Sequence, residues 1–154
     1  IEDRQYIKSP EYVILEKGAH NLISRARSLD LIIGVITYQS GIGRGYYSIK
    51  DVENLHKWLR NILRLEGAFI DDIFYAPYFK KSKNFLFRRG VMLRKPNTGM
   101  IELAKKKWNI DMKKSYVIGD SNVDKNLARN AKLKYLPVYN NSNLLSIVKK
   151  NCKN

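Results

Sequence analysis

The sequence predicts a three-layer α/β fold, a parallel β-sheet with helices on both faces. Near-continuous β-branched runs such as Leu31-Ile32-Ile33-Gly34-Val35-Ile36-Thr37 suit parallel strands covered on both sides. These runs alternate with amphipathic stretches at helical spacing, the pattern of βαβ units. A chain of 154 residues holds one domain with a real core. No repeat or linker interrupts it, so residues 1–154 are expected to form a single domain.

The elements follow in order. Gly18 to Leu29 is the first helix, and Leu31 to Thr37 is a buried strand. Ser48, with Asp51 three residues on, is a capping-box-like start. Val52, Leu55, Leu59, Ile62 and Leu63 then repeat at helical spacing, and Gly67 marks the stop. Asp72 to Tyr75 is a shorter strand. Tyr78 to Leu93 is long, basic and without period, a loop or small insertion. Thr98 to Trp108 is helical, Ser115 to Gly119 a strand, and Asp124 to Ala131 a helix. Tyr135 to Val138 reads as an outer strand and Asn143 to Lys150 as a last helix.

Composition narrows the function. No apolar stretch is long enough to span a membrane, and Ile1-Glu2-Asp3-Arg4 has no apolar core of a signal peptide, so a soluble cytoplasmic protein is the expectation. Cys152 is the only cysteine, which excludes an intramolecular disulfide and a multi-cysteine zinc site. His20 and His56 lie far apart without ligand-like spacing. The formal charge of +15 could serve nucleic acid or a phosphorylated substrate. The lysines are nevertheless scattered, as in Lys80-Lys81, Lys105-Lys106-Lys107 and Lys149-Lys150, and no nucleic-acid motif accompanies them. A solvated basic surface is the expectation, without a nucleic-acid partner.

The chemistry concentrates in three segments. Tyr116-Val117-Ile118-Gly119-Asp120 places a carboxylate at the carboxyl end of a strand, where open α/β sheets hold ligands. Asp120 is either a Mg²⁺ ligand or a cap of the following helix. Asp124 either orients Ser121 and metal-bound water or favours the helix N-terminus by its charge. Thr37-Tyr38-Gln39-Ser40-Gly41 follows another strand, and its glycines allow backbone N–H groups close to an anion. Taken alone, such a turn is more often structural. Lys95, before Pro96, can point a compact positive charge at a phosphate.

Together, residues 37–45, 93–100 and 117–124 resemble the haloacid dehalogenase-like phosphatases. The closer match is the branch of D,D-heptose 1,7-bisphosphate and histidinol-phosphate phosphatases. The resemblance implies a Rossmann-like sheet of that superfamily and Mg²⁺-dependent hydrolysis through an aspartyl-phosphate. It implies that Thr37 and Lys95 stabilise the phosphoryl group and that Asp120 holds Mg²⁺, with Asp124 behind it. Tyr38, Gln39, Ser40, Arg94 and Ser121 would contact substrate, and Asp3, Arg4, Gln5 and Tyr6 match a region that closes over it. The implied substrate is a D-glycero-manno-heptose 1,7-bisphosphate losing its 7-phosphate. Histidinol phosphate is the runner-up, and an inactive phosphosugar- or protein-binding domain the alternative. A monomer is expected.

The chain also departs from that family. The Asp-x-Asp-Gly-Thr motif, which supplies the nucleophile and the acid/base, occurs nowhere in it. The chain is therefore expected to be N-terminally truncated, without the central first strand between those ending at Thr37 and Asp120. It is expected to be poorly stable and inactive by itself. Tyr75 through Leu93 contains no Cys or His, so the branch's zinc loop is not expected. Tyr38 replaces the family's usual Asn.

Overall fold

The computed structural model describes residues 6–139 and Ser146. The chain order is α1 (Ala19–Ser28), β1 (Gly34–Tyr38), α2 (Gly41–Arg44), α3 (Ile49–Leu65), β2 (Asp72–Ala76), α4 (Gly99–Trp108), β3 (Tyr116–Gly119), α5 (Asn122–Asn130) and β4 (Lys134–Pro137). The helix expected over 143–150 lies outside the described residues, except for Ser146, which is helical.

The strands form two parallel pairs, β1 with β2 and β3 with β4. Gly34 stands opposite Asp72 and Val35 opposite Ile73, while Tyr116 stands opposite Lys134. Among the described residues each strand is thus paired along one edge only.

Side-chain alternation along β1 and β2 produces the layers. Val35 and Ile73 pack into a cluster with Ile23 of α1 and Leu63 of α3, together with Ala68 and Ile70. On the opposite face the Trp108 ring of α4 meets Phe74 edge-on at 5.4 Å and lies over Gly34. Helices therefore cover both faces of this pair, and α5 packs on β3 and β4 through Leu127 and Ala128, both fully buried.

The Leu31–Thr37 run begins pairing only at Gly34. The Leu31 amide returns to Ala26 O at 3.1 Å, so the start of the run closes α1 instead. Asp30 adopts φ 56° in that reversal. The Ser48–Asp51 capping box forms as expected: the Ser48 hydroxyl accepts from Asp51 N at 3.1 Å, and the Asp51 carboxylate accepts from Ser48 N at 2.7 Å. The Ser40–Gly45 segment, read as a turn, contains one turn of helix, α2.

The aperiodic 78–93 segment is a folded loop with two short 3₁₀ turns, Phe85–Phe87 and Val91–Leu93. Phe79 N donates to Phe87 O at 2.8 Å, and Arg88 Nε donates to Ser82 O at 2.6 Å. Phe87 packs against a second core cluster of Ile42, Tyr47 and Val52. The loop is thereby joined to the carboxyl end of β1.

Candidate active site

The turn after β1 is stitched to the chain leaving β2. Gln39 N donates to Ala76 O at 2.9 Å, and Gly43 N donates to Pro77 O at 3.0 Å. Thr37 Oγ1 accepts from Gln39 Nε2 at 3.3 Å, while Gln39 Oε1 accepts from the Tyr47 hydroxyl at 2.8 Å. Accepting from Gln39 leaves the Thr37 O–H proton available to an anion. Ser40 is buried at the foot of the turn. A Cβ at Gly41 would sit 2.3 Å from the Tyr47 ring, so only glycine allows this approach.

The turn after β3 is built around Asp124. Ser121, not Asp120, caps α5: its hydroxyl accepts from Asp124 N at 3.2 Å and donates to Asp124 Oδ2 at 2.6 Å. Lys95 Nζ donates to Asp124 Oδ1 at 2.7 Å. Burial pushes the Asp124 carboxyl up, but Lys95 and Ser121 together outweigh it and hold it below the usual carboxylate range. A Cβ at Gly119 would lie 2.6 Å from Asp124 Cβ, so this glycine is explained by close approach.

Asp120 is exposed, and among the described residues no lysine or arginine forms an ion pair with it. Its backbone is bracketed by Tyr135 of β4, whose hydroxyl donates to Gly119 O at 2.9 Å and Ser121 O at 3.3 Å. Burial and the neighbouring Asp124 and Asp120 charges push the Tyr135 phenol up, which keeps it a donor. Tyr135 and Tyr47 carried no sequence signal beyond ordinary aromatic packing residues.

Arg94 and Lys95 bridge the two turns. Lys95 reaches Asp124 beside β3, while the Arg94 guanidinium carbon stands 4.8 Å over the Tyr38 ring at the end of β1. Asn130 of α5 donates to Pro96 O at 3.0 Å and ties this bridge to the same helix. The structure thus joins Thr37 to Gln39, Tyr38 to Arg94, and both Lys95 and Ser121 to Asp124. Tyr6 lies on α2, edge-on to Tyr46 at 4.9 Å and 5.6 Å from the Arg44 guanidinium. Asp3, Arg4 and Gln5 lie outside the described residues.

No group of three or more metal-ligating His, Cys, Asp or Glu side chains occurs among the described residues. Of the two carboxylates in the turn after β3, Asp120 is exposed and Asp124 is buried. A groove of about 550 Å³ lies elsewhere, between α3 and β2, lined in part by His56, Arg60, Phe69 and Tyr75; none of the expected site residues lines it.

Comparison with known proteins sets these turns in a family. The HAD-hydrolase-like family model matches residues 92–145, which contain Lys95, Asp120 and Asp124. The chain is 42% identical over 102 residues to the D-glycero-alpha-D-manno-heptose-1,7-bisphosphate 7-phosphatase of Photorhabdus laumondii, covering 66% of this chain and 56% of that protein. It is 35% identical over 126 residues to the D-glycero-beta-D-manno-heptose-1,7-bisphosphate 7-phosphatase of Rhodopseudomonas palustris, covering 82% of this chain and 70% of that protein. The fold is similar to that of D,D-heptose 1,7-bisphosphate phosphatase from B. bronchiseptica complexed with magnesium and phosphate, with TM-score 0.75 and 24% identity, covering 94% of this chain and 76% of that one.

Proposed function

The chain belongs to the haloacid dehalogenase-like phosphatases, in the branch of the D,D-heptose 1,7-bisphosphate phosphatases, and from that membership we propose that its two turns form the phosphate-holding half of a phosphomonoester hydrolase. The substrate is a sugar bisphosphate, D-glycero-manno-heptose 1,7-bisphosphate, which loses its 7-phosphate. The observation that carries this reading is the Arg94-Lys95 bridge, which brings two cations to the ends of β1 and β3.

Each residue then has a defined task. The Thr37 hydroxyl donates to a phosphoryl oxygen. Lys95 spends one of its three N–H donors on Asp124 and keeps two for phosphate. Asp124 thereby acts through Lys95 and Ser121 by fixing their positions. Gln39, Ser40, Arg94 and Ser121 line the substrate path. Asp120 suits Mg²⁺, a hard cation that takes one or two carboxylates with water and phosphate oxygens. The bound ion supplies positive charge to the phosphoryl oxygens.

In this family the attacking carboxylate and the acid/base come from an Asp-x-Asp strand, and β1 and β3 each keep one edge unpaired among the described residues. A phosphosugar-binding domain without turnover is the second reading; no Asp-x-Asp sequence occurs among residues 1–154. Calorimetric titration tests the binding common to both readings. Heptose 1,7-bisphosphate should bind in a Mg²⁺-dependent manner, more tightly than histidinol phosphate, and Asp120→Asn should abolish the Mg²⁺ dependence. Equal Mg²⁺-dependent binding by the variant overturns the assignment of Asp120.

A further inference from the structure

We propose that Tyr38 is a positioning residue for Arg94 and thereby sets the preference for a substrate bearing a second anionic group. This rests on the phosphosugar reading above. Three segments meet at the Tyr38 ring. Its hydroxyl donates to Tyr78 O at 2.8 Å, fixing the ring to the first residue of the 78–93 loop. Its face carries the Arg94 guanidinium at 4.8 Å. Tyr78 is itself held close to Gly90, where a Cβ would stand 2.4 Å from the Tyr78 ring and φ is 121°.

The same loop holds a second stacked cation, because the Arg44 guanidinium lies 3.8 Å from the Phe79 ring centre. Neither Arg44 nor Arg94 has a carboxylate partner among the described residues. Arginine stacked on a ring keeps its N–H edge free for an oxyanion, because stacking uses only the face of the guanidinium.

Arg94 and Lys95 are adjacent but serve different neighbours, Tyr38 and Asp124. Lys95 belongs with the reacting phosphoryl group. Arg94, mounted on β1 and the loop, is placed for an anionic group elsewhere on the same substrate. An asparagine at 38 would offer Arg94 no ring and could not reach Tyr78 as the tyrosine does. Tyr38 therefore gives this chain a preorganised cation.

The test separates positioning from substrate choice. In the full chain, ring currents should shift the Arg94 side-chain proton resonances; Tyr38→Phe should retain the shift and Tyr38→Leu should remove it. Heptose 1-phosphate, the product carrying only the remote phosphate, should bind Tyr38→Leu about 3- to 10-fold more weakly than wild type, the span of a cation–π contact of about 0.6–1.4 kcal/mol. Mg²⁺ affinity should not change. An unshifted Arg94 in the wild type overturns the positioning role, and equal heptose 1-phosphate affinity in Tyr38→Leu overturns the role in recognition. Absence of any binding of heptose 1-phosphate or Mg²⁺ by the wild type refutes the phosphosugar reading, and with it this role in substrate choice.

Discussion

Replacing Lys95 by methionine keeps most of the side chain's length and removes the ammonium that Asp124 accepts from at 2.7 Å. The two side chains are 20% and 11% exposed, so the pair is largely but not wholly withdrawn from water. Breaking a fully buried pair costs about 3–5 kcal/mol, because the remaining charge is stranded, whereas exposed pairs contribute about 0–1 kcal/mol. Ser121 still donates to Asp124 in the variant. The expected loss is therefore at the lower end, about 3 kcal/mol at neutral pH.

The loss depends on pH in a definite direction. The wild-type Asp124 carboxyl is held below its ordinary range, so its stabilising contribution is present above the unfolded-state pKa and is lost as pH falls through the folded one. Without Lys95 the carboxyl loses one of the two partners that offset its burial, so it should take up a proton at higher pH than in the wild type. The gap between wild type and Lys95→Met should therefore narrow steadily on acidification through the carboxylate range. Urea unfolding of both proteins across pH measures this, with Lys95→Met/Asp124→Asn completing the double-mutant cycle. A loss below about 0.5 kcal/mol at neutral pH, or one that does not change with pH, refutes the coupling.

Further predictions concern the same two turns and the helix that supports them. Gly119→Ala drives a methyl to 2.6 Å from Asp124 Cβ and should cost about 1–3 kcal/mol of stability by urea unfolding; no loss would mean the turn yields freely. Tyr135→Phe removes the donor to Gly119 O and Ser121 O, so amide exchange at Asp120 and Ser121 should accelerate, with about 1 kcal/mol lost globally. Ser48→Ala breaks the capping box of α3 and should cost about 1 kcal/mol in the same unfolding assay.

The elements were readable where one periodic signal decided them. The α3 cap at Ser48 and stop near Gly67 emerge from local chemistry, and β2 and β3 fall within a residue of their apolar runs. Errors arose where hydrogen-bond partners were non-local. Leu31 and Ile32 look like strand residues, yet Leu31 closes α1 and Ile32 is left exposed. The helix after Gly119 begins before Asp124 because Ser121 supplies the cap. The candidate residues were legible as strand-end polar groups. Their pairing was not, since Lys95 meets Asp124 across 29 positions and Arg94 meets Tyr38 across the loop. Tyr135 was missed for the same reason: its hydroxyl acts on a turn from a neighbouring strand.

The most direct measurement compares phosphate release from heptose 1,7-bisphosphate by this chain alone and by the chain joined to a strand carrying Asp-x-Asp, in each case with and without Mg²⁺. Mg²⁺-dependent release should come only from the joined protein, and Asp120→Asn should abolish it. Robust turnover by the chain alone, or turnover by the joined protein indifferent to Asp120, would contradict this.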